Sequence, residues 1–226
     1  MPTDRPSAWV RHRVFGHVRN RGIVLLAALV LQLVMYPLFE RPDAPTTPWI
    51  VAYWLATPLL GVVQLASRWW TIAVAGLCAL MIAIAAVLAQ TEMIAIPGTV
   101  LVVFGVVVYL AAAFAIGRAA LFSEELLDNR LYAGISAYLL VGYCFAGLHH
   151  LVWNYDPSAY QNASHPGPSN LHIADFIYFS FSTLTTAGFG DIVAVSRGAR
   201  LTCMLEAVTG ILMPATFIAR LLSQQK

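Results

Sequence analysis

Apolar residues in this chain come in long continuous runs instead of at helical or alternating intervals. Six such runs, at 22–39, 48–66, 69–89, 94–116, 131–153 and 201–222, are bounded by charge, Pro or Gly. Each is close to the ~20 residues that a helix needs to cross a bilayer core. Runs that are apolar on every side predict helices buried in lipid. A further run, 173–186, is apolar and aromatic but too short to cross, which predicts a re-entrant helix. It is preceded by a stretch rich in Pro, Ser, Asn and Gly at 156–170, read as a surface loop. A glycine-bearing segment follows it, and non-helical backbone at membrane depth is tolerated only where it is buried in protein or lines a water-filled path.

Composition agrees with a lipid solvent: 59% of the residues are hydrophobic and only 11% charged, about half the charge of a soluble domain. The net charge of +2 argues against nucleic acid as a partner, and no soluble partner is predicted. Cys78, Cys144 and Cys203 stand singly in apolar runs and read as small packing residues, giving neither a disulfide framework nor a zinc site. Ser, His and Asp occur without any nucleophile elbow or ligand spacing, so no enzyme and no cofactor are expected.

Placement of the basic residues sets the expected orientation. With alternating spans and an internal N-terminus, ten of the thirteen Lys and Arg residues face the cytoplasm, leaving Arg41, Arg197 and Arg200 outside. Both termini are therefore predicted to be cytoplasmic, with the stretch between the fifth and sixth spans facing outward. Residues 1–21 are not read as a cleaved leader; Val10, Val14 and Val18 among arginines fit either a helix lying in the headgroup layer or a basic tail. The division expected is 1–21 as a basic N-terminal segment, 22–117 as four spans, 118–130 as a linker and 131–226 as a pore unit.

Residues 185–191 read Thr185-Thr186-Ala187-Gly188-Phe189-Gly190-Asp191 behind the aromatic half-helix. A dehydrated monovalent cation needs rings of oxygen in place of its water, and backbone carbonyls from four chains can provide them. Successive carbonyls face one way only if the backbone alternates between ordinary and left-handed conformations, which Gly188 and Gly190 allow at alternate positions. The half-helix aims the negative end of its dipole at the same place.

Residues 175–191, with the spans around them, resemble the pore helix and filter of potassium channels, most closely the single-pore prokaryotic kind. The resemblance extends over about 131–222. It implies an all-α membrane protein with six transmembrane helices, the re-entrant pore helix and filter lying between the fifth and sixth. It also implies a homotetramer in lipid, in a bacterial cell membrane. Potassium, the permeant species, would be held at Thr186, Ala187, Gly188 and Phe189. Thr185, Asp191, Tyr178, Ser182 and Glu206 are the expected filter supports, and Gly210 with Pro214 the gating hinge. Two departures matter: Ala187 stands where the family has Val, and Phe189 where it has Tyr, so packing and bracing behind the filter are reduced while every carbonyl remains.

Glu206, costly in a bilayer by about 3 kcal/mol if charged and alone, is expected to bond to Ser182 or Thr183 behind the filter. Asp191 is expected to bond to Tyr178. His149, His150, His165 and His172 fall on the outer side and read as interfacial residues, with an outer proton or metal sensor as the alternative. Asn162-Ala163-Ser164 fits a glycosylation acceptor, of consequence only in a eukaryote. The fourth run carries no arginine before Arg118, so no voltage sensor is expected. A non-selective monovalent cation channel and a non-conducting scaffold or regulatory subunit are the competing readings.

Overall fold

The computed structural model describes residues 21–39, 57–58, 98–122, 127–163 and 171–223. They form helices α1 (Arg21–Phe39), α2 (Gly98–Phe122), α3 (Leu127–Tyr155), α4 (Ile173–Leu184) and α5 (Arg197–Ser223). A 3₁₀ turn (Pro157–Ala159) and strand β1 (Tyr160–Asn162) follow α3, and strand β2 (Ile192–Ala194) precedes α5. Among the described residues three helices are long and apolar enough to cross a membrane, at Thr99–Phe122, Asn129–Tyr155 and Arg197–Arg220. Gly22–Met35 and Ile173–Leu184 are shorter apolar helices. The described part is thus an all-α membrane protein apart from two three-residue strands. Segment 1–20 and the spans expected at 48–66 and 69–89 lie outside the described residues, except for helical Thr57 and Pro58.

Most of the linker expected at 118–130 is helical. The α2 helix continues through Arg118 to Phe122, and α3 begins at Leu127. Arg130 is buried, and its guanidinium donates to the carbonyls of Ala120 at 2.9 Å and Leu121 at 3.4 Å. A charge that ends the apolar run in sequence therefore satisfies carbonyls of the last turn of α2 and lets that helix extend.

Packing is centred on α3. Leu25 and Leu29 of α1, Tyr109 and Ile116 of α2, and Ala137 and Leu140 of α3 share one buried core. Two hydrogen bonds fix α1 against this unit. Gln32 Nε2 donates to the Tyr109 hydroxyl at 2.6 Å, and the Tyr143 hydroxyl donates to the Leu29 carbonyl at 3.1 Å. The first and fourth expected spans therefore lie against α3 of their own chain.

The α5 helix is different. Only 11% of its apolar window is buried, against 56% for α3. Met204, Ile211 and Leu222 are each more than 60% exposed. It touches the rest of the chain along one narrow line, at which a Cβ added to Gly210 would sit 2.0 Å from the Leu184 carbonyl oxygen. No side chain fits there, so glycine sets the approach of α5 to the end of α4.

Gly210→Ala is expected to cost about 1–3 kcal/mol through overpacking against rigid backbone. Gly117→Ala, where the added carbon meets only Ala137 and Phe217 at 3.8 and 3.9 Å, should be neutral or slightly stabilising. Thermal unfolding of the purified variants in detergent separates the two outcomes.

Candidate functional site

The half-helix α4 is positioned from both ends. At its start the His172 N–H donates to the Asp175 carboxylate at 2.8 Å, which satisfies a free donor and puts negative charge in the first turn. Phe176, Ile177, Phe179 and Leu184 are buried. Phe176 and Phe179 meet the ring of Tyr160 edge-on at 5.2 and 5.6 Å. Tyr160 reaches that position because β1 pairs antiparallel with β2, Tyr160 opposite Ala194 and Asn162 opposite Ile192. Part of the expected surface loop is therefore bound to the segment just before α5. At the far end the Tyr138 hydroxyl of α3 donates to the Leu184 carbonyl at 3.0 Å.

Beyond Leu184 the chain leaves the helix with its donors paired. Thr185 N–H donates to Phe181 O, Thr186 N–H to Thr183 O and Gly188 N–H to Ser182 O, at 3.0, 2.9 and 3.1 Å. Positive φ angles then recur at alternate residues: 60° at Thr186, 55° at Gly188 and 79° at Gly190. The two glycines were legible in sequence; the left-handed Thr186, which costs about 1–3 kcal/mol, was not. Residues 185–190 are all exposed in the single chain. Ala187 and Phe189 line a cavity of about 490 Å³ shared with Tyr178, Phe181 and Ser182 of α4. Their side chains thus turn toward the half-helix, and Phe189 stacks on Tyr178 with centroids 5.8 Å apart.

The expected supports divide. The Thr185 hydroxyl donates to Phe181 O at 2.7 Å. The Tyr178 phenol is paired with Asp191. Asp191 also accepts from its neighbour Ile192 N–H at 3.0 Å, and its carbonyl accepts from Ala163 N–H at 2.7 Å. Ser182 meets the segment after α4 through its backbone carbonyl, which accepts from Gly188 N–H, while its hydroxyl donates to Phe179 O within α4 at 3.1 Å. Gly210 and Pro214 lie inside an unbroken α5, Gly210 against Leu184 and Pro214 beside Tyr138 and Phe217.

Glu206 requires a correction. Its partners are neither Ser182 nor Thr183. One carboxyl oxygen lies 2.8 Å from His149 Nε2 and the other 2.5 Å from Ser180 Oγ. Ser180 Oγ is also 2.7 Å from the Gly142 carbonyl, and His149 Nδ1 is 2.7 Å from the Tyr160 hydroxyl. The helical period explains the difference: Ser180 is fully buried beneath α4 facing α5, Ser182 two residues on falls on the other side of the helix, and Thr183 on the same side stands nearly a turn nearer its end. His149 is likewise not interfacial but fully buried, between α3, α4 and α5. His150 and His172 are half-buried, and His165 lies outside the described residues. Sequence reasoning missed Tyr138, His149, Tyr160 and Ser180. One signal was available for His149, which stands four residues before the end of its apolar run, while Glu206 stands five residues after the start of the next.

Residues 135–224 match the family model described as ion channel. The match takes in most of α3, all of α4 and the exposed segment after it, and α5. The matched family is one of ion channels and not of enzymes. No curated protein and no solved structure matches the chain.

Ser180→Ala is expected to destabilise the protein by about 1–3 kcal/mol, since it leaves a buried Glu206 oxygen without its partner and removes the second hydrogen bond to the Gly142 carbonyl. Ser182→Ala removes only a bond within α4 and should cost less than half as much. Melting temperatures of the two variants, side by side, check the correction.

Proposed function

We propose that the chain is one subunit of a homotetrameric potassium-selective channel, with Thr186, Ala187, Gly188, Phe189 and Gly190 as its filter strand. The observation that carries this is the alternation of positive φ at 186, 188 and 190 in an exposed strand at the end of a half-helix. Such alternation turns successive carbonyls to one side, the arrangement that replaces a cation's water shell. The dipole of α4 ends at the same point with its negative pole. The ion-channel match over residues 135–224 supports the reading independently.

A single strand presents oxygen from one side only, and α5 leaves most of its apolar surface uncovered. Both features are met when four copies bring their filter strands together and enclose them with their α5 helices. Gly210 and Pro214 then serve as the hinge of the inner helix, with Gly210 pressed against the filter's supporting helix. Both termini lie in the cytoplasm of a bacterial cell. Between Gly98 and Phe122 the only charged residue is Arg118, so gating does not depend on a sensor of stacked arginines.

A non-selective monovalent cation channel is the second reading, favoured by the cavity of about 490 Å³ behind Ala187 and Phe189. Small or poorly braced side chains there let the ring of oxygens widen.

Purified protein in potassium-loaded liposomes should release potassium in a barium-sensitive way, and in sodium-loaded liposomes should release little sodium. Gly188→Ala, which has open space around the added carbon but a backbone that disfavours it, should assemble and lose most of the flux. Flux that is absent from the wild type, or unchanged in that variant, contradicts the assignment. In planar bilayers the open probability should vary weakly with voltage; a steep conductance–voltage curve contradicts the sensor-free reading.

A further inference from the structure

Four polar side chains behind the filter form an unbroken line of contacts from Tyr160 to the Gly142 carbonyl. In order these are Tyr160 hydroxyl to His149 Nδ1, His149 Nε2 to Glu206 Oε2, Glu206 Oε1 to Ser180 Oγ, and Ser180 Oγ to Gly142 O. All are between 2.5 and 2.8 Å, and each of these side chains is at most 1% exposed. Every contact at such a distance needs one hydrogen between its two atoms.

Counting those hydrogens fixes their places. The Gly142 carbonyl can only accept, so the single hydrogen of Ser180 is directed to it. Ser180 Oγ then meets Glu206 Oε1 as an acceptor, and the hydrogen between them must belong to Glu206. The other carboxyl oxygen accepts from His149 Nε2–H, which leaves Nδ1 to accept from Tyr160. Four contacts use four hydrogens, and the line carries no net charge.

An ionised Glu206 beside a protonated His149 does not satisfy the same geometry. The Ser180 hydrogen can then serve either Glu206 or Gly142, and the other contact faces lone pair against lone pair. A buried ion pair must also recover the desolvation of both charges in the membrane, which a neutral line avoids. The titratable groups facing Glu206 are His149, Tyr138 and Cys144 from α3, Tyr160 from β1 and Cys203 from α5. The α4 helix contributes Ser180 alone. Among the described residues no arginine, lysine or second carboxylate reaches the carboxyl to hold it ionised.

We propose that Glu206 is a neutral carboxylic acid that donates to Ser180, and that Tyr160, His149, Glu206 and Ser180 form a one-directional hydrogen-bond line positioning the filter's half-helix against α3 and α5. His149 and Tyr160 are thereby positioning residues for the filter although neither touches it. Because every member has a single allowed direction, losing the Glu206 proton leaves Ser180 with one hydrogen for two acceptors and loosens α4 from either α5 or α3. The placement of the proton stands on geometry alone; its effect on conduction rests on the channel reading above.

The test is an infrared difference spectrum between wild type and Glu206→Gln, full chains in lipid nanodiscs at neutral pH. The expected result is the carbonyl band of a protonated carboxylic acid, moved by ¹³C-labelling of glutamate; carboxylate bands in its place overturn the proposal. If the variant does not assemble, the wild type decides alone, since labelled protein with no protonated glutamate at neutral pH also overturns it. Liposome flux against pH gives the second readout. Wild-type flux should fall as pH rises far enough to remove the proton, and the fall should be missing in Glu206→Gln, which has no proton to lose. An alkaline fall of equal size in both proteins removes the link to the filter. A protein that shows the band but carries no ions at any pH retires the channel reading and leaves the proton where it is placed.

Discussion

A helix that stops halfway across a membrane, as proposed for α4, leaves its last carbonyls, and all the backbone beyond, in a place where water cannot serve them. Much of the described structure answers that constraint at Leu184. The Tyr138 hydroxyl reaches one of the exposed carbonyls, and the backbone of 185–188 folds back to use others. The α5 helix comes so close that only glycine fits at position 210. The polar line from Tyr160 to Gly142 holds the same half-helix one turn further back, so α4 is tied to α3, α5 and β1 at successive levels. What is left uncovered is the strand from Thr186 to Gly190 and the apolar face of α5, and both are surfaces that further copies of the chain would cover.

This arrangement also explains why the two departures at the proposed filter are tolerable. Ala187 and Phe189 turn toward α4, away from the surface that would meet an ion. Shrinking one side chain and removing a hydroxyl from the other alters what braces the strand and leaves the carbonyl sequence intact. Bracing comes instead from the stack of Phe189 on Tyr178, and from Asp191, whose backbone carbonyl holds the chain near β1 while its carboxylate meets the Tyr178 phenol.

Elements that depend on uninterrupted apolar length were legible in the sequence: α1, α2, α3 and α5 lie where the runs lie, and α4 was visible as a run too short to cross. Gly188 and Gly190 announced their backbone because glycine is the residue that takes it without cost. Thr186 did not, because a β-branched residue takes positive φ only where its surroundings compel it. Contacts across helices were legible only as needs: Glu206 plainly required a partner, yet whether Ser180, Ser182 or Thr183 faces it is decided by the rotation of α4, which the aromatic packing of Phe176 and Phe179 sets. Arg130 misled for a related reason, since a charge can end a span or cap the helix before it.

The central claim is that the strand 186–190, repeated around an axis, passes potassium and rejects sodium. Its most direct test is the reversal potential of the purified protein in a planar bilayer with potassium on one side and sodium on the other. The account predicts a reversal displaced far from zero, in the direction set by potassium alone. A reversal at zero, or no current at all, contradicts it.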